Sequence, residues 1–325
     1  MIKRWGSLEL GLATREAYGR ALAELGADNP KIVVLDADLS KSTFTSIFGR
    51  ANKERFFDVG IAEANLVSVA AGLAAGGFIP FASSFASFLV GKGYEQLRVS
   101  VAYMRLNCKF VGSHGGISLG EDGPSQQSIE DVALASSLPG FTVAVPADEV
   151  ATRALIRAAA EHEGPVYIRV GRPRAPRIYV PGERFSFGRA KTLSDGNDVT
   201  VIASGLMVAT ACRAAELAER RGIQVRVIDC HTAKPLDEAP IEMAAEETGA
   251  IVVAEEHLVR GGLGSAVAQV AARRRPVPME FVGLEDTFAE SGTPEELFRA
   301  YGLTAEHLLG AIFRVMERKA KPAAA

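Results

Sequence analysis

Glu63 lies in the stretch DVGIAEANLVSVAAGLAAGG (58–77), and the helix it opens has only Asn65 and Ser68 as further polar side chains. Leu66, Val67, Val69, Ala70, Ala71, Leu73 and Ala74 leave that helix no wet face, so burial all round is expected. A buried carboxylate with no Lys or Arg beside it in the sequence needs a proton or a partner from elsewhere. Such an acid can do proton chemistry; equally, an acid in a first helical turn can simply complement the helix dipole. A second segment, GSHGGISLGEDGPSQQSIED (112–131), sets five glycines among His114, Glu121, Asp122, Gln126 and Gln127. Its length and polar density at a strand end suit ligand binding better than a plain connection. Weaker candidates are Phe81, Phe85 and Phe88 near a helix start, Arg15 on a helix and Ser42 in a turn. Each also has an ordinary reading as core, helix surface or turn cap. Arg169 and Arg172 end a strand-like run, where one could reach a phosphate or only solvent.

The elements that must position these residues alternate along the chain. Strand-like runs at 31–37, 77–83, 108–113, 141–146 and 165–170 are separated by helical patterns at about 12–26, 62–75, 86–104, 129–137 and 148–162. That alternation predicts βαβ crossovers and a parallel sheet covered on both faces. In such a sheet ligands gather where loops leave the C-terminal strand ends, which is where the glycine-rich segment begins. Residues 171–190 (GRPRAPRIYVPGERFSFGRA) hold three prolines and no helical period, and read as a linker packing against both neighbours. Strand-like runs resume at 199–204, 224–230 and 250–256, and Thr293, Pro294 and Glu296 form a capping box that opens a late helix. The expected fold is α/β with two domains, 1–185 and 186–325, each a mostly parallel sheet with helices on both faces.

Bulk properties narrow the function classes. A chain of 325 residues suits two domains that each bury a core. A net charge of -3 with scattered Lys and Arg leaves no basic footprint for nucleic acid. Cys108, Cys212 and Cys230 lack CxxC or metal spacing, and suggest reduced core thiols. No apolar run reaches membrane-spanning length and MIKRWGSLEL lacks a signal-peptide core, so a cytoplasmic, soluble protein is expected. His162 and His307 read as helix-surface residues, while His231 and His257 lie at strand ends with no local role.

DVGIAEANLVSVAAGLA, followed by FASSFASF, SHGGISLGEDGPSQQ and VYIRVGR, resembles the C-terminal half of transketolase, from about residue 8 to 315. The resemblance implies the pyrimidine-binding and C-terminal domains of a thiamine diphosphate enzyme. It makes Glu63 and His114 the catalytic candidates, with Glu63 on N1′ of the cofactor's aminopyrimidine. A Glu there can share a proton with N1′ and favour the tautomer that accepts the thiazolium proton. The same resemblance gives Phe85 and Phe88 to an aromatic cup on the pyrimidine, Leu39 to propping the bent cofactor, and Asp38 to a carboxylate near it. Arg15, Ser42, His114 and Arg172 match positions that hold the terminal phosphate of a sugar phosphate, and Asp122 one that reads a substrate hydroxyl. Gln126 stands where transketolase usually has a histidine, and Gly-Gly follows His114 instead of Asp-Ser. One extra residue between Phe88 and Arg98 leaves Tyr94 unmatched to the cup's third aromatic.

The GDG motif and later Asn that hold Mg²⁺ and the diphosphate in this enzyme class are missing from the chain. No metal ligands are therefore expected here. The resemblance then implies a split transketolase: an N-terminal subunit carries the diphosphate-binding domain and Mg²⁺, this chain is β of an α₂β₂ heterotetramer, and alone it does not turn over. The small side chains of 62–75 suit a subunit interface as well as an ordinary core helix. The expected reaction moves a two-carbon ketol unit from a ketose phosphate to an aldose phosphate. Alternatives are the β subunit of a 2-oxo acid dehydrogenase, a two-carbon transferase loading a carrier protein, and a non-catalytic regulatory subunit.

Overall fold

The computed structural model of the chain describes residues 8–320. From the N-terminal side, β1 (Leu10–Ala13) leads through α1 (Thr14–Asp28) to β2 (Ile32–Asp36), α2 (Ser40–Thr43), α3 (Ser46–Ala51) and β3 (Phe56–Asp58). Then follow α4 (Glu63–Ala75), β4 (Ile79–Phe85), α5 (Ala86–Gln96), β5 (Lys109–Ser113), α6 (Asp131–Ser137), β6 (Thr142–Ala144), α7 (Glu149–Glu161) and β7 (Val166–Val170). The second half adds β8 (Arg174–Pro176), β9 (Lys191–Ser194), β10 (Val199–Ala203), α8 (Met207–Glu219), β11 (Val225–Asp229), β12 (Thr232–Lys234) and α9 (Glu238–Glu247). It closes with β13 (Ile251–Leu258), α10 (Leu263–Arg274), β14 (Met279–Leu284), α11 (Pro294–Ala300) and α12 (Ala305–Ala320).

Two large sheets result, ordered β12-β6-β7-β5-β4-β2-β3 and β14-β13-β10-β11-β9, beside a two-stranded one of β1 and β8. Pairing in the two large sheets is parallel, except for β12 against β6 and β9 against β11. The central strands β2, β5 and β7 are buried at every position, as strands covered by helices on both faces must be. That is why they read as mostly apolar runs rather than alternating ones, with the buried Lys109 and Arg169 among the exceptions. On one face α1 and α7 pack together, burying Tyr18, Leu22 and Leu25 beside Val150, Leu155 and Ile156. α7 starts at Asp148, whose carboxylate accepts the Val150 and Ala151 N–H groups. The capping box at Thr293 and Glu296 opens α11 as the sequence predicts. The α/β architecture with two domains is as expected.

Three details differ. β12 comes from the second half yet completes an edge of the first sheet, so the two sheets interlock. The segment 171–190 is not wholly irregular: β8 pairs antiparallel with β1. It does pack on both sides, since Asp148 accepts the Ile178 and Tyr179 N–H groups at 2.8 and 2.9 Å while the Tyr179 hydroxyl donates to Asp229 at 2.5 Å. Most consequential, α4 is not buried all round. Glu63, Leu66, Val67, Ala70 and Ala71 face inward, but Asn65, Ser68, Gly72 and Ala75 form an exposed stripe. A helix lying on a sheet buries one face, and a low-polarity sequence leaves the other face small-sided rather than hidden. Among the described residues no helix is long and apolar enough to cross a membrane.

Candidate active site

The candidate residues come from loops at one end of the first sheet. Asp38, Leu39 and Ser42 follow β2, Glu63 begins the helix after β3, Phe85 and Phe88 straddle the β4–α5 junction, His114 follows β5 and Arg172 follows β7. Arg15 enters from the first turn of α1. These are the carboxyl ends of parallel strands, where an α/β sheet leaves a crevice.

Glu63 is 2% exposed, and its Oε1 accepts the Ser84 hydroxyl at 2.9 Å. Its other oxygen lies 3.6 Å from Lys92 Nζ, and that ammonium also sits 4.5 Å from the Phe88 ring centroid. The acid is thus not without a cation, as the local sequence suggested: one turn beyond Phe88, α5 brings Lys92 back over it. Phe85 and Phe88 stack with centroids 5.6 Å apart, and Phe85 stacks on His114 at 3.8 Å. Tyr94 belongs elsewhere; its hydroxyl meets Ser137 on α6 at 2.5 Å.

His114 sits in a left-handed conformation with φ 60° and is buried. Its Nε2 lies 3.0 Å from Arg15 Nη1, and its Nδ1 lies 2.7 Å from the Ser113 hydroxyl. Burial, then the Arg15 and Arg172 charges, hold its pKa down at about 3, so the ring is neutral. An arginine can only donate, so Nε2 carries the lone pair and Nδ1–H donates to Ser113. Arg15 also donates to the Ser42 carbonyl at 2.9 Å and lies over Phe44. Arg172 donates to the Leu119 carbonyl at 2.6 Å and to Glu121 at 3.0 Å, with Asp122 3.8 Å away. The Gln126 carbonyl accepts the Ser87 hydroxyl at 2.9 Å. Asp38 stays exposed at φ 62°, its N–H donating to Asp58 at 3.0 Å. Two guanidiniums and a neutral imidazole thus meet beside an aromatic pair and a buried acid.

The chain matches the family model "Transketolase, pyrimidine binding domain" over residues 11–177 and "Transketolase, C-terminal domain" over residues 188–308. This chain belongs to the transketolase family. It is 42% identical over 308 residues to the "Putative transketolase C-terminal section" of Methanocaldococcus jannaschii, covering 94% of this chain and 96% of that protein. It is 43% identical over 305 residues to the "6-deoxy-6-sulfo-D-fructose transketolase subunit SqwH" of Clostridium sp. (strain MSTE9), covering 94% and 95%. A solved "Split gene transketolase, inactive beta4 tetramer" superposes with a TM-score of 0.90 at 52% identity, covering 95% of this chain and all of that one.

Within the transketolase frame, several site contributors escaped sequence reasoning. Of the two arginines at the end of β7, Arg169 is locked inward on Asp131, while Arg172 faces the site. Lys92 lay four residues from Phe88, a helical spacing that could have flagged it. Asp36 is fully buried, and its carboxylate accepts the Thr43 and Thr45 hydroxyls, both at 2.7 Å, and the Leu39 N–H, also at 2.7 Å. It therefore shapes the loop that presents Leu39 and Ser42. In sequence it looked like one more residue of a strand. Among the described residues no group of three or more His, Cys, Asp or Glu is arranged to hold a metal ion.

Proposed function

We propose that this chain is the C-terminal, pyrimidine-binding subunit of a split, thiamine diphosphate-dependent transketolase, with the division between its domains near residue 185. The observation that carries the reading is the meeting of Glu63, the Phe85–Phe88 stack, His114 and the Arg15–Arg172 pair at one sheet end. The donor set fits the pyrimidine half of the cofactor: a buried carboxylate for a ring nitrogen, beside two stacked aromatic faces. The Mg²⁺ and diphosphate half falls to an N-terminal subunit, in an α₂β₂ heterotetramer in the cytoplasm. The family names "C-terminal section" and "subunit" support that division, and the β-only tetramer described as inactive supports dependence on the partner.

When bound, thiamine diphosphate would supply the nucleophilic carbon that cleavage of the ketose C2–C3 bond needs. Glu63 holds the proton at N1′, steadied by Ser84 on one oxygen, with Lys92 within reach of the other. Phe85 and Phe88 would hold the ring, Leu39 would pack against the cofactor, and Asp38 lies at the rim. Arg15, Arg172 and the Ser42 loop bind the terminal anion of the sugar. His114, kept neutral, offers Nε2 as a hydrogen-bond acceptor; Asp122 and Gln126 read the sugar hydroxyls. Glu121 and Asp122 neutralise Arg172 until an anionic substrate takes their place. A phosphate is the favoured anion, and a relative named for a sulfo-sugar makes a sulfonate the natural comparison.

The decisive experiment co-purifies the chain with its N-terminal partner and adds thiamine diphosphate and Mg²⁺. A panel of ketose phosphates, sulfonated ketoses and 2-oxo acids is then offered. Aldose release from a ketose anion is expected from the complex and none from the single chain. Carbon dioxide release from 2-oxo acids would instead make it a dehydrogenase subunit.

A further inference from the structure

The glycine-rich loop 112–123 does not lie free over the site; it is seated on the second domain. At one end Glu256, near the end of β13, reaches across, and its Oε1 accepts the Ser118 N–H at 2.6 Å. Gly116, at φ 82°, lies against that side chain so closely that a Cβ there would stand 2.2 Å from the carboxyl carbon. Its neighbour Gly115 lies close on Arg169, where a Cβ would stand 2.5 Å from the side chain, and Arg169 Nη1 donates to the Glu256 carbonyl at 2.6 Å. At the other end the Gln127 amide donates to the Glu290 carbonyl at 3.1 Å. Gly123 there leaves room for the Ser291 hydroxyl.

We infer that Glu256 is a positioning residue: from the second domain it fixes the turn between His114 and Asp122 and so sets the substrate-binding geometry of both. The inference rests on the reading of this loop as the substrate loop. Glu256 touches neither His114 nor the cup, so its effect passes through the Ser118 N–H and the Gly115–Gly116 backbone. A carboxylate suits the task because an acceptor oxygen must reach a backbone N–H that lies inside a tight turn. The side chain is buried, and burial pushes its pKa up to about 7 against the pull of Arg169 and Ser118. A group kept there despite that cost is held by its partners rather than by solvent.

Hydrogen exchange of the 112–123 amides in the isolated chain tests the structural step. Kinetics of the complex with its N-terminal partner test the functional one. Glu256→Ala is expected to speed loop exchange at least tenfold. In the complex it should raise KM for the ketose anion about tenfold, with kcat and thiamine diphosphate half-saturation within about threefold. Glu256→Gln keeps the acceptor oxygen and should restore most of both. Gly116→Ala attacks the same contact from the loop side and covers the case in which Glu256→Ala does not fold. Combined with Glu256→Ala it should cost less than it does alone, because the colliding carboxylate is gone and only the strain of an Ala at φ 82° remains. Unchanged loop exchange in both single variants overturns the inference, as does faster exchange with an unmoved KM. A wild-type complex that turns over no ketose anion would instead sink the transketolase reading. The exchange measurement would still decide whether Glu256 holds the loop.

Discussion

At the scale of single residues, a buried acid is governed by the partners the fold gives it. Glu63 has a hydroxyl on one oxygen and a lysine near the other, both from elements distant in the chain. Glu63→Gln keeps an acceptor for Ser84 but cannot exchange a proton with a ring nitrogen. Turnover of the complex is expected to fall at least about 100-fold. The melting temperature of the chain should stay within a few degrees. Survival of activity to within about tenfold would remove Glu63 from the chemistry.

Elements set the geometry that those residues need. The β2–α3 connection is held from below by Asp36, which satisfies two threonine hydroxyls and a backbone N–H. Asp36→Ala strands those donors in a buried setting, at a cost of about 2–4 kcal/mol. Denaturant unfolding should read that loss directly, and weaker binding of the ketose anion should accompany it through Ser42 and Arg15. A wild-type unfolding midpoint in Asp36→Ala would mean that the loop is held by other contacts. α4 leaves one face open. Its exposed stripe of Asn65, Ser68, Gly72 and Ala75 suits close packing against another subunit. Ser68→Arg should leave the single chain folded, with an unchanged far-ultraviolet spectrum, yet block assembly as seen in sedimentation. Full assembly of that variant would place the interface elsewhere.

Across the whole molecule, buried ionisable groups give stability a pH dependence of predictable sign. Burial pushes Asp229 and Glu256 up to about 7 and Asp36 up to about 6. Between these values and the unfolded range near about 4, the folded chain holds protons that the unfolded chain has released. Their contribution to stability is therefore full at low pH and is lost as pH rises through 7, by at most about 1.4 kcal/mol per proton per pH unit. His114 and His231 act in the opposite sense. Burial holds them at about 3 and about 4, so below about 6.5 only the unfolded chain takes up their protons. The melting temperature is expected to rise as pH falls from about 7 to about 5, because the three raised acids outnumber the two depressed histidines, while above pH 7 the buried Lys109, held down at about 8, offsets them. A steady climb in melting temperature as pH rises from about 5 to about 7 in a calorimetric series would contradict this assignment of the buried acids.

Much was legible in the chain itself. The apolar runs of β2, β5 and β7, the capping box at Thr293 and the fingerprint around Glu63 and His114 are local patterns. They depend on residues a few positions apart, whose spacing alone dictates strand, helix or cap. Other features depended on long-range packing, which no local window contains. The Lys92 ammonium near Glu63, the inward turn of Arg169 against the outward turn of Arg172, and the open face of α4 all arise from where elements lie on the sheet. Glu256 and Ser118 are 138 residues apart, and only the docking of the second domain brings that carboxylate onto the loop. Local chemistry chose the elements; the choice of partner for each buried charge came from the fold, because a charge taken out of water must find its counterpart wherever the packed chain supplies one.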